Sequence, residues 1–587
     1  MATQTRADIP ENQKWDLSKL FNNSEEYKAA VAEFEGLLGQ VADYKGTLAG
    51  GAAAVKAAID FQETLERKLM RVYIYSHLFS DLDTSDNFGI EQHAIATSLY
   101  VKFTEAYSWF EPELLSLDSI PEVPEYQRML DRIAASKEHT LDAAGEEILS
   151  TLGEVFETAS NAFSTLTNSD FEFGTLTTED GEEVEITHGN YGKYLESNNR
   201  DVRKSIFEKY FKTYTHFGNT LASTFDSMVK ASNARAKIRG YKTSREMYLS
   251  GNEVPESVYD TLVEAVNKNL PLLHRYVALR KRLLGLEELH TYDMYVAPVE
   301  ELELTFTYDE ACEIMYKALA PLGEDYIAVV KEAVNSRWID VHPTKGKRSG
   351  AYSSGSYDSA PYILLNWQDN LDNLYTLVHE VGHSLHSYLT AKNQPYTTGS
   401  YPIFLAEIAS TTNENLLTEY LLKTLTSPKE RIFILSQYLD GFKGTVFRQT
   451  QFAEFEHYVR IAAQEGQPLT NEYVSEYYAD LNARYYGEAL ERDEQIASEW
   501  SRIPHFYSPY YVFQYSTGFA AANALAARML DLGQPAVDDY LGFLKSGNSK
   551  KPVDTMKAAG VDMTTVDYID NAFKVFEERL VELEKLV

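Results

Sequence analysis

His379-Glu380-Val381-Gly382-His383 reads H-E-x-x-H. On a helix this spacing sets two imidazoles one turn apart on one face with a carboxylate beside them. That is the arrangement a zinc-activated water and its general base require. The flanking sequence has helical periodicity. Leu374, Val378, Val381, Leu385 and Tyr388 recur at steps of three and four, and no proline falls between Leu371 and Leu389. The spacing therefore predicts one amphipathic helix, with both histidines on a face beside its apolar stripe. Gly382 lies inside that helix, where it costs about 1 kcal/mol relative to alanine. A close approach by another backbone or by a ligand would account for it.

A catalytic zinc needs a third protein ligand and an open fourth position. Downstream, Phe404 to Leu417 reads as a second helix, with Glu407, Thr411 and Glu414 on one polar stripe. Glu407 lies 24 residues after His383, giving H-E-x-x-H-x23-E. A carboxylate on a neighbouring antiparallel helix can reach the metal while Glu414 supports a ligand from behind. His386 competes for the third position. It ranks below Glu407, because one helix presenting all three ligands would strain a tetrahedral site, and it is expected to support or pack instead.

Further segments carry a resemblance. HEVGHSLH with FLAEIASTTNE spans His379–Glu414, and RIPHFYSPYYVFQYSTG spans Arg502–Gly518. KWDLSKLF near the N-terminus, RDVRKSIFEKYF after Asn199 and NEVPESVYDTLVEAV join them. The chain resembles the thimet-oligopeptidase-like zinc peptidases, most closely their oligoendopeptidase F branch, from about Ile9 to the C-terminal helix. The resemblance implies a mainly α fold. A zincin-like helical catalytic lobe with a small sheet next to the metal helix would occupy 201–587. An N-terminal helical lobe would occupy 1–200. Together they would enclose a deep channel that admits short peptides and rejects folded proteins.

Peptide hydrolysis needs an activated water, a polarised carbonyl and a proton for the leaving amine. One Zn2+ per chain would supply the first two, and Glu380 suits the general base. The developing oxyanion needs donors. His505, Tyr511 and Tyr515 match the histidine and tyrosines that contact the substrate carbonyl in the resembling family. The spacing leaves Tyr510 and Tyr511 hard to separate, and Tyr510 also counts as a substrate contact. Gly350, Ala351 and Tyr352 open a small, polar segment that precedes the β-prone run Tyr362 to Trp367. An exposed edge strand there could bind a peptide through main-chain hydrogen bonds, with the glycine-containing loop closing over it.

The 587 residues are 44% hydrophobic and 24% charged, as in globular proteins, and contain no apolar run of membrane-spanning length. Cys312 is the only cysteine, which excludes an intrachain disulfide and Cys-rich metal sites and fits a reducing cytoplasm. The N-terminus lacks an apolar secretory core. A net charge of −34 argues against nucleic acid as a partner. Short peptides are the expected partners, without membrane or nucleic acid, and a monomer is expected.

Most of the remaining chain reads helical. Asn23-Ser24-Glu25-Glu26 offers a capped start to an apolar stripe from Tyr27 to Tyr44. Phe171-Glu172-Phe173 and Val184-Glu185-Ile186 alternate around Asp180-Gly181, predicting a hairpin within 171–187. Val254-Pro255-Glu256-Ser257 opens a long helix. Two other functions share these features: a helical peptide-binding protein with a vestigial metal site, and an exopeptidase of the same metal chemistry.

Overall fold

The computed structural model describes residues 5–299, 302 and 304–587. Almost all regular structure among them is helical, with one two-stranded and one three-stranded sheet, the mainly α class expected. No described helix is long and apolar enough to cross a membrane. The chain gathers into two compact units. The first comprises Met1–Glu138, Glu303–Tyr420 and Leu525–Val561, and the second His139–Leu302, Leu421–Ala524 and Asp562–Val587. The lobe boundary expected near residue 200 falls inside the second unit, because each unit is assembled from three separate stretches. Such returns leave no local mark in a sequence.

In the first unit, helices Ser24–Leu38, Ala52–Leu82 and Asn87–Tyr107 pack through Phe34, Leu65, Leu69, Leu99 and Phe103. Their starts follow from capping. The Asn23 side chain accepts from the N–H groups of Glu25 and Glu26, and Asp86 accepts from Gly89. The stripe expected to run to Tyr44 outlasts its helix. The α-helix stops at Leu38 and a tighter turn, Gly39–Asp43, keeps Val41 buried.

The three-stranded sheet has Tyr362–Leu364 at its centre, parallel to Ile339–Asp340 and antiparallel to Tyr352–Ser354. Every residue of Tyr362–Leu364 is buried, as an unbroken apolar run requires in a strand covered on both faces. The less buried Tyr352–Ser354 takes the edge. The indole N–H of Trp15 donates to the carbonyl of Ile363 at 2.8 Å and ties the N-terminal segment to this sheet.

The H-E-x-x-H segment lies in helix Leu371–Asn393, hereafter the metal helix. The Asn370 side chain caps its start by accepting the Asn373 N–H at 2.8 Å. It ends at Gln394, which is extended, as a residue before proline prefers. Helix Ile403–Thr424, the glutamate helix, begins just after Pro402. The two cross at Gly382: a Cβ there would stand 2.5 Å from the Cα of Ser410 and 3.0 Å from the carbonyl oxygen of Ala409. Backbone approach is thus the reason for the glycine. Nearby, buried Asn413 bridges the elements, its side-chain N–H2 reaching the Tyr326 hydroxyl at 3.1 Å and the Val378 carbonyl at 3.4 Å.

The second unit is built on long helices, among them Arg200–His216, Gly218–Ile238, Arg448–Gln464 and Asn471–Tyr486. The helix expected after Pro255 runs from Glu256 to Lys268, with Pro255 at its cap. The expected hairpin pairs Thr175–Thr177 with Glu183–Glu185. Its first strand lies later than Phe171-Glu172-Phe173, because those phenylalanines are engaged elsewhere. Phe171 packs edge-on against Tyr214 with ring centroids 5.1 Å apart, and Phe173 stacks on Tyr210 at 4.5 Å.

Candidate metal centre

His379 and His383 sit one turn apart on the metal helix, and Glu407 faces them from the glutamate helix. The Nε2 atoms of the two histidines are 3.1 Å apart, and Glu407 Oε2 lies 3.4 Å from His379 Nε2 and 3.5 Å from His383 Nε2. Ligands held about 2.0–2.1 Å from a zinc ion at tetrahedral positions lie about 3.3 Å from one another. The three donor atoms therefore already form one face of such a tetrahedron, and the residues present fit the metal the sequence implies.

Glu414, two turns beyond Glu407, is hydrogen-bonded to Nδ1 of His379. That contact fixes the ring so that Nε2 points to the other ligands. Burial opposes a charge on His379, but the Glu414 bond and the nearby Glu380 and Glu407 carboxylates carry its pKa up to about 9. Hydrogen bonding to His383 holds Glu407 below the usual carboxylate range. The net negative field that favours a proton on His379 equally favours a divalent cation.

Glu380 is only 7% exposed. Burial raises its pKa, partly offset by the two histidines and by the backbone N–H of Ser353, which is directed at the carboxylate. A raised pKa makes a carboxylate a better proton acceptor near neutrality. Ser353 belongs to the edge strand, and its hydroxyl also contacts that of Ser384 on the metal helix at 2.8 Å. The sequence expectation omitted Ser353 as a site residue. Its contribution to Glu380 is a main-chain N–H, for which side-chain identity carries no signal.

The expected substrate segment divides. Gly350 is exposed, with φ +83, and its carbonyl accepts from the Asn366 side chain at 2.8 Å. Ala351 and Tyr352 lead into the edge strand. The Tyr352 hydroxyl donates to buried Asp81 at 2.8 Å, and its ring stacks on His77 with centroids 5.6 Å apart. Tyr352 thus anchors the strand. A cavity of about 910 Å³ runs from His383 past Ser353, Gly355 and Tyr388 to Lys392.

His386 is fully buried, stacked on Tyr401 at 3.6 Å and against Phe543 at 4.9 Å. Neither ring nitrogen has a partner, and burial holds its pKa well below the ordinary value. It is a neutral packing group outside the ligand triangle.

Within the second unit His505, Tyr511 and Tyr515 form a half-buried ring cluster. His505 lies parallel to Tyr511 at 6.2 Å and edge-on to Tyr515 at 6.0 Å, and the two tyrosines are 5.3 Å apart. Tyr510, expected among the substrate contacts, points into the core of the second unit instead of joining this cluster. It is 2% exposed, its φ is +54, and its hydroxyl meets Nδ1 of His457 at 3.2 Å. The left-handed turn sends its ring into the core and leaves Tyr511 beside His505.

The family model of peptidase family M3 matches residues 193–575, and that of oligopeptidase F matches residues 113–173. The chain belongs to peptidase family M3. It is 46% identical over 591 residues to oligopeptidase PepF of Bacillus subtilis, covering 99% of this chain and 88% of that one. It is 48% identical to group B oligopeptidase PepB of Streptococcus agalactiae, covering 100% and 99%. Among solved structures it resembles oligoendopeptidase-F from Enterococcus faecium, with a TM-score of 0.75, 45% identity and coverage of 96% and 99%. A peptidase from Chlamydophila abortus gives 0.93 and 36%, with both chains fully covered. This M3 peptidase is a metalloendopeptidase of the oligoendopeptidase F type, acting on oligopeptides, and His379, His383 and Glu407 are its candidate metal site.

Proposed function

We propose that this M3 peptidase hydrolyses internal bonds of short peptides with one zinc ion per chain, held by His379, His383 and Glu407, and with Glu380 as general base. The observation that carries this reading is the ligand triangle at tetrahedral spacing with a buried carboxylate from the same helix beside it. Two imidazoles and a carboxylate suit zinc and leave a fourth position open. Bound there, zinc supplies Lewis acidity, which acidifies water and polarises a carbonyl.

Glu380 takes the proton from water and delivers it to the departing amine. Glu414 keeps His379 oriented. Strand Tyr352–Ser354, entered through Gly350 and Ala351, lies at the edge of its sheet, and the main-chain groups there other than the Ser353 N–H, which is directed at Glu380, can take an extended peptide, so that grip depends little on side-chain sequence. To His505, Tyr511 and Tyr515 we assign contact with the scissile carbonyl and the charge that develops on it. The family resemblance and their mutual ring contacts support that assignment. The lone, buried Cys312 accords with a reducing compartment, and we assign the enzyme to the cytoplasm as a monomer.

The test combines metal analysis with mass spectrometry of peptides blocked at both ends. One zinc per chain and cleavage of blocked peptides are expected. Glu380→Gln should lose about 10²–10⁴ in kcat and keep its metal. Full activity in that variant removes Glu380 as base. Cleavage confined to unblocked peptides makes the protein an exopeptidase, and binding without cleavage makes it a peptide carrier.

A further inference from the structure

Helix Arg448–Gln464 of the second unit carries a buried ion pair one turn apart. Glu456 Oε1 lies 3.2 Å from Arg460 Nε, and the two side chains are 1% and 0% exposed. A buried pair is weak evidence for stability, since apolar replacements often serve as well. Its hydrogen bonds suggest another purpose. Glu456 Oε1 accepts the backbone N–H of Tyr510 at 2.7 Å. Arg460 Nη2 donates to the backbone carbonyl of Phe506 at 3.4 Å, and Nη1 donates to Ser232 of helix Gly218–Ile238. The guanidinium also lies over the Tyr510 ring, 5.4 Å from its centre.

The two backbone groups held in this way are the direct chain neighbours of His505 and Tyr511. Phe506 follows His505, and Tyr510 precedes Tyr511. Between the two anchors the chain reverses through Tyr507-Ser508-Pro509, and at Tyr510 it enters the left-handed region that residues with a Cβ rarely occupy. Such a conformation persists where its surroundings over-determine it. Glu456 on the amide, Arg460 on the ring and His457 on the hydroxyl do so here.

We propose that Glu456 and Arg460 are positioning residues that clamp both shoulders of the 506–510 turn and so set the parallel spacing of the His505 and Tyr511 rings. The inference rests on the assignment of those two rings to the scissile carbonyl. Removing the clamp lets the turn relax and separates the rings. Chemistry then suffers while ground-state peptide binding, which does not need the rings in register, is kept.

The test uses the full-length, metal-loaded enzyme. Replacing one partner alone strands a buried charge, so the informative variant is the neutral double replacement Glu456→Gln with Arg460→Met. Gln can still accept the Tyr510 amide, whereas Met leaves the Phe506 carbonyl free. The expected result is a fall in kcat of at least 30-fold, with KM within threefold, metal content unchanged and the circular dichroism spectrum unchanged. In a background carrying both His505→Ala and Tyr511→Phe the same double replacement should cost less than threefold more, because neither positioned group is left to act. A purely structural pair would give equal losses in both backgrounds. That result overturns the proposal, as does an unchanged kcat in the double variant. Should that protein not fold, Arg460→Lys, which keeps the charge but loses the fork, is assayed in the same two backgrounds with the same criteria. If Tyr511→Phe and His505→Ala themselves leave activity unchanged, the failure lies in the assignment of the rings and the clamp falls with it. If they cost activity and the clamp variants do not, the positioning role alone is refuted.

Discussion

Gly382→Ala should break the metal centre without unfolding the protein. An added Cβ would lie 2.5 Å from the Cα of Ser410 and 3.0 Å from the Ala409 carbonyl, all backbone atoms that cannot rotate away. Non-bonded carbons rest at about 3.5–4.0 Å, so the two helices must part by roughly 1 Å. Overpacking of this kind costs about 1–3 kcal/mol. Alanine returns about 1 kcal/mol of helix propensity, so the net loss of stability is small. The metal site bears the larger effect. Glu407, now 3.4 and 3.5 Å from the two imidazole nitrogens, would retreat to roughly 4.5 Å, past the tetrahedral spacing of about 3.3 Å. Loss of a supporting contact alone weakens metal binding about 10–100-fold, and displacing a ligand should do at least as much. Zinc competition against a chelator measures this, with circular dichroism to verify helix content. Gly441→Ala is the control. Its added methyl meets nothing within 4 Å in a helix, so it should stabilise by up to about 1 kcal/mol. Unchanged zinc affinity in Gly382→Ala would refute the argument that this crossing sets the ligand spacing.

Three further outcomes follow from neighbouring features. Glu414→Ala frees His379 to rotate and should weaken zinc binding about 10–100-fold, read by the same competition. Equal affinity would show that packing alone orients the ring. His386→Phe replaces two unpartnered buried nitrogens with carbon and should leave zinc content intact and the melting temperature level or higher; lost zinc would make it a ligand. Asp81 is buried against His77, Arg348 and the Tyr352 hydroxyl, and despite its desolvation these partners lower its pKa to about 2. A folded pKa below the unfolded value of 3.8 adds stability of about 2 kcal/mol above that value. It is lost as pH falls through about 2. Urea melts of the parent and of Asp81→Asn should therefore differ near neutral pH, close together as pH falls below the unfolded value, and converge only below about pH 2; a gap independent of pH would exclude the charge as its source.

The candidate metal site was legible because chemistry and periodicity coincide there. H-E-x-x-H fixes two ligands through the helical repeat, and Glu407 with Glu414 follows from a second polar stripe. Even the cause of Gly382 could be stated in general terms, though not that Ser410 is what approaches. Other features were hidden for identifiable reasons. Tyr510 and Tyr511 have the same chemistry, and only the sign of one backbone angle decides which enters the core. Tyr352–Ser354 contains small polar residues and reads as loop, yet the buried run Tyr362–Leu364 recruits it as a partner strand. Phe171 and Phe173 alternate like a strand, but the tyrosines of a helix some forty residues later capture their rings. Each miss is a long-range contact overriding a local pattern.

The twofold interruption of the unit that carries the candidate metal site has a consequence during synthesis. Its first helices leave the ribosome as part of 1–138, but the sheet and both ligand helices lie in 303–420, after the whole stretch 139–302. At about 5–20 residues per second, the early helices wait roughly 10–45 s for the strand whose Ile363 carbonyl Trp15 will bind. During that interval the core around Phe34, Leu69 and Phe103 can close on itself, but the cluster of Trp15, Phe21 and Tyr75 lacks Tyr362 and Leu364, so nascent chains should be clients of ribosome-associated chaperones, and the candidate metal site is complete only once Glu407 has emerged.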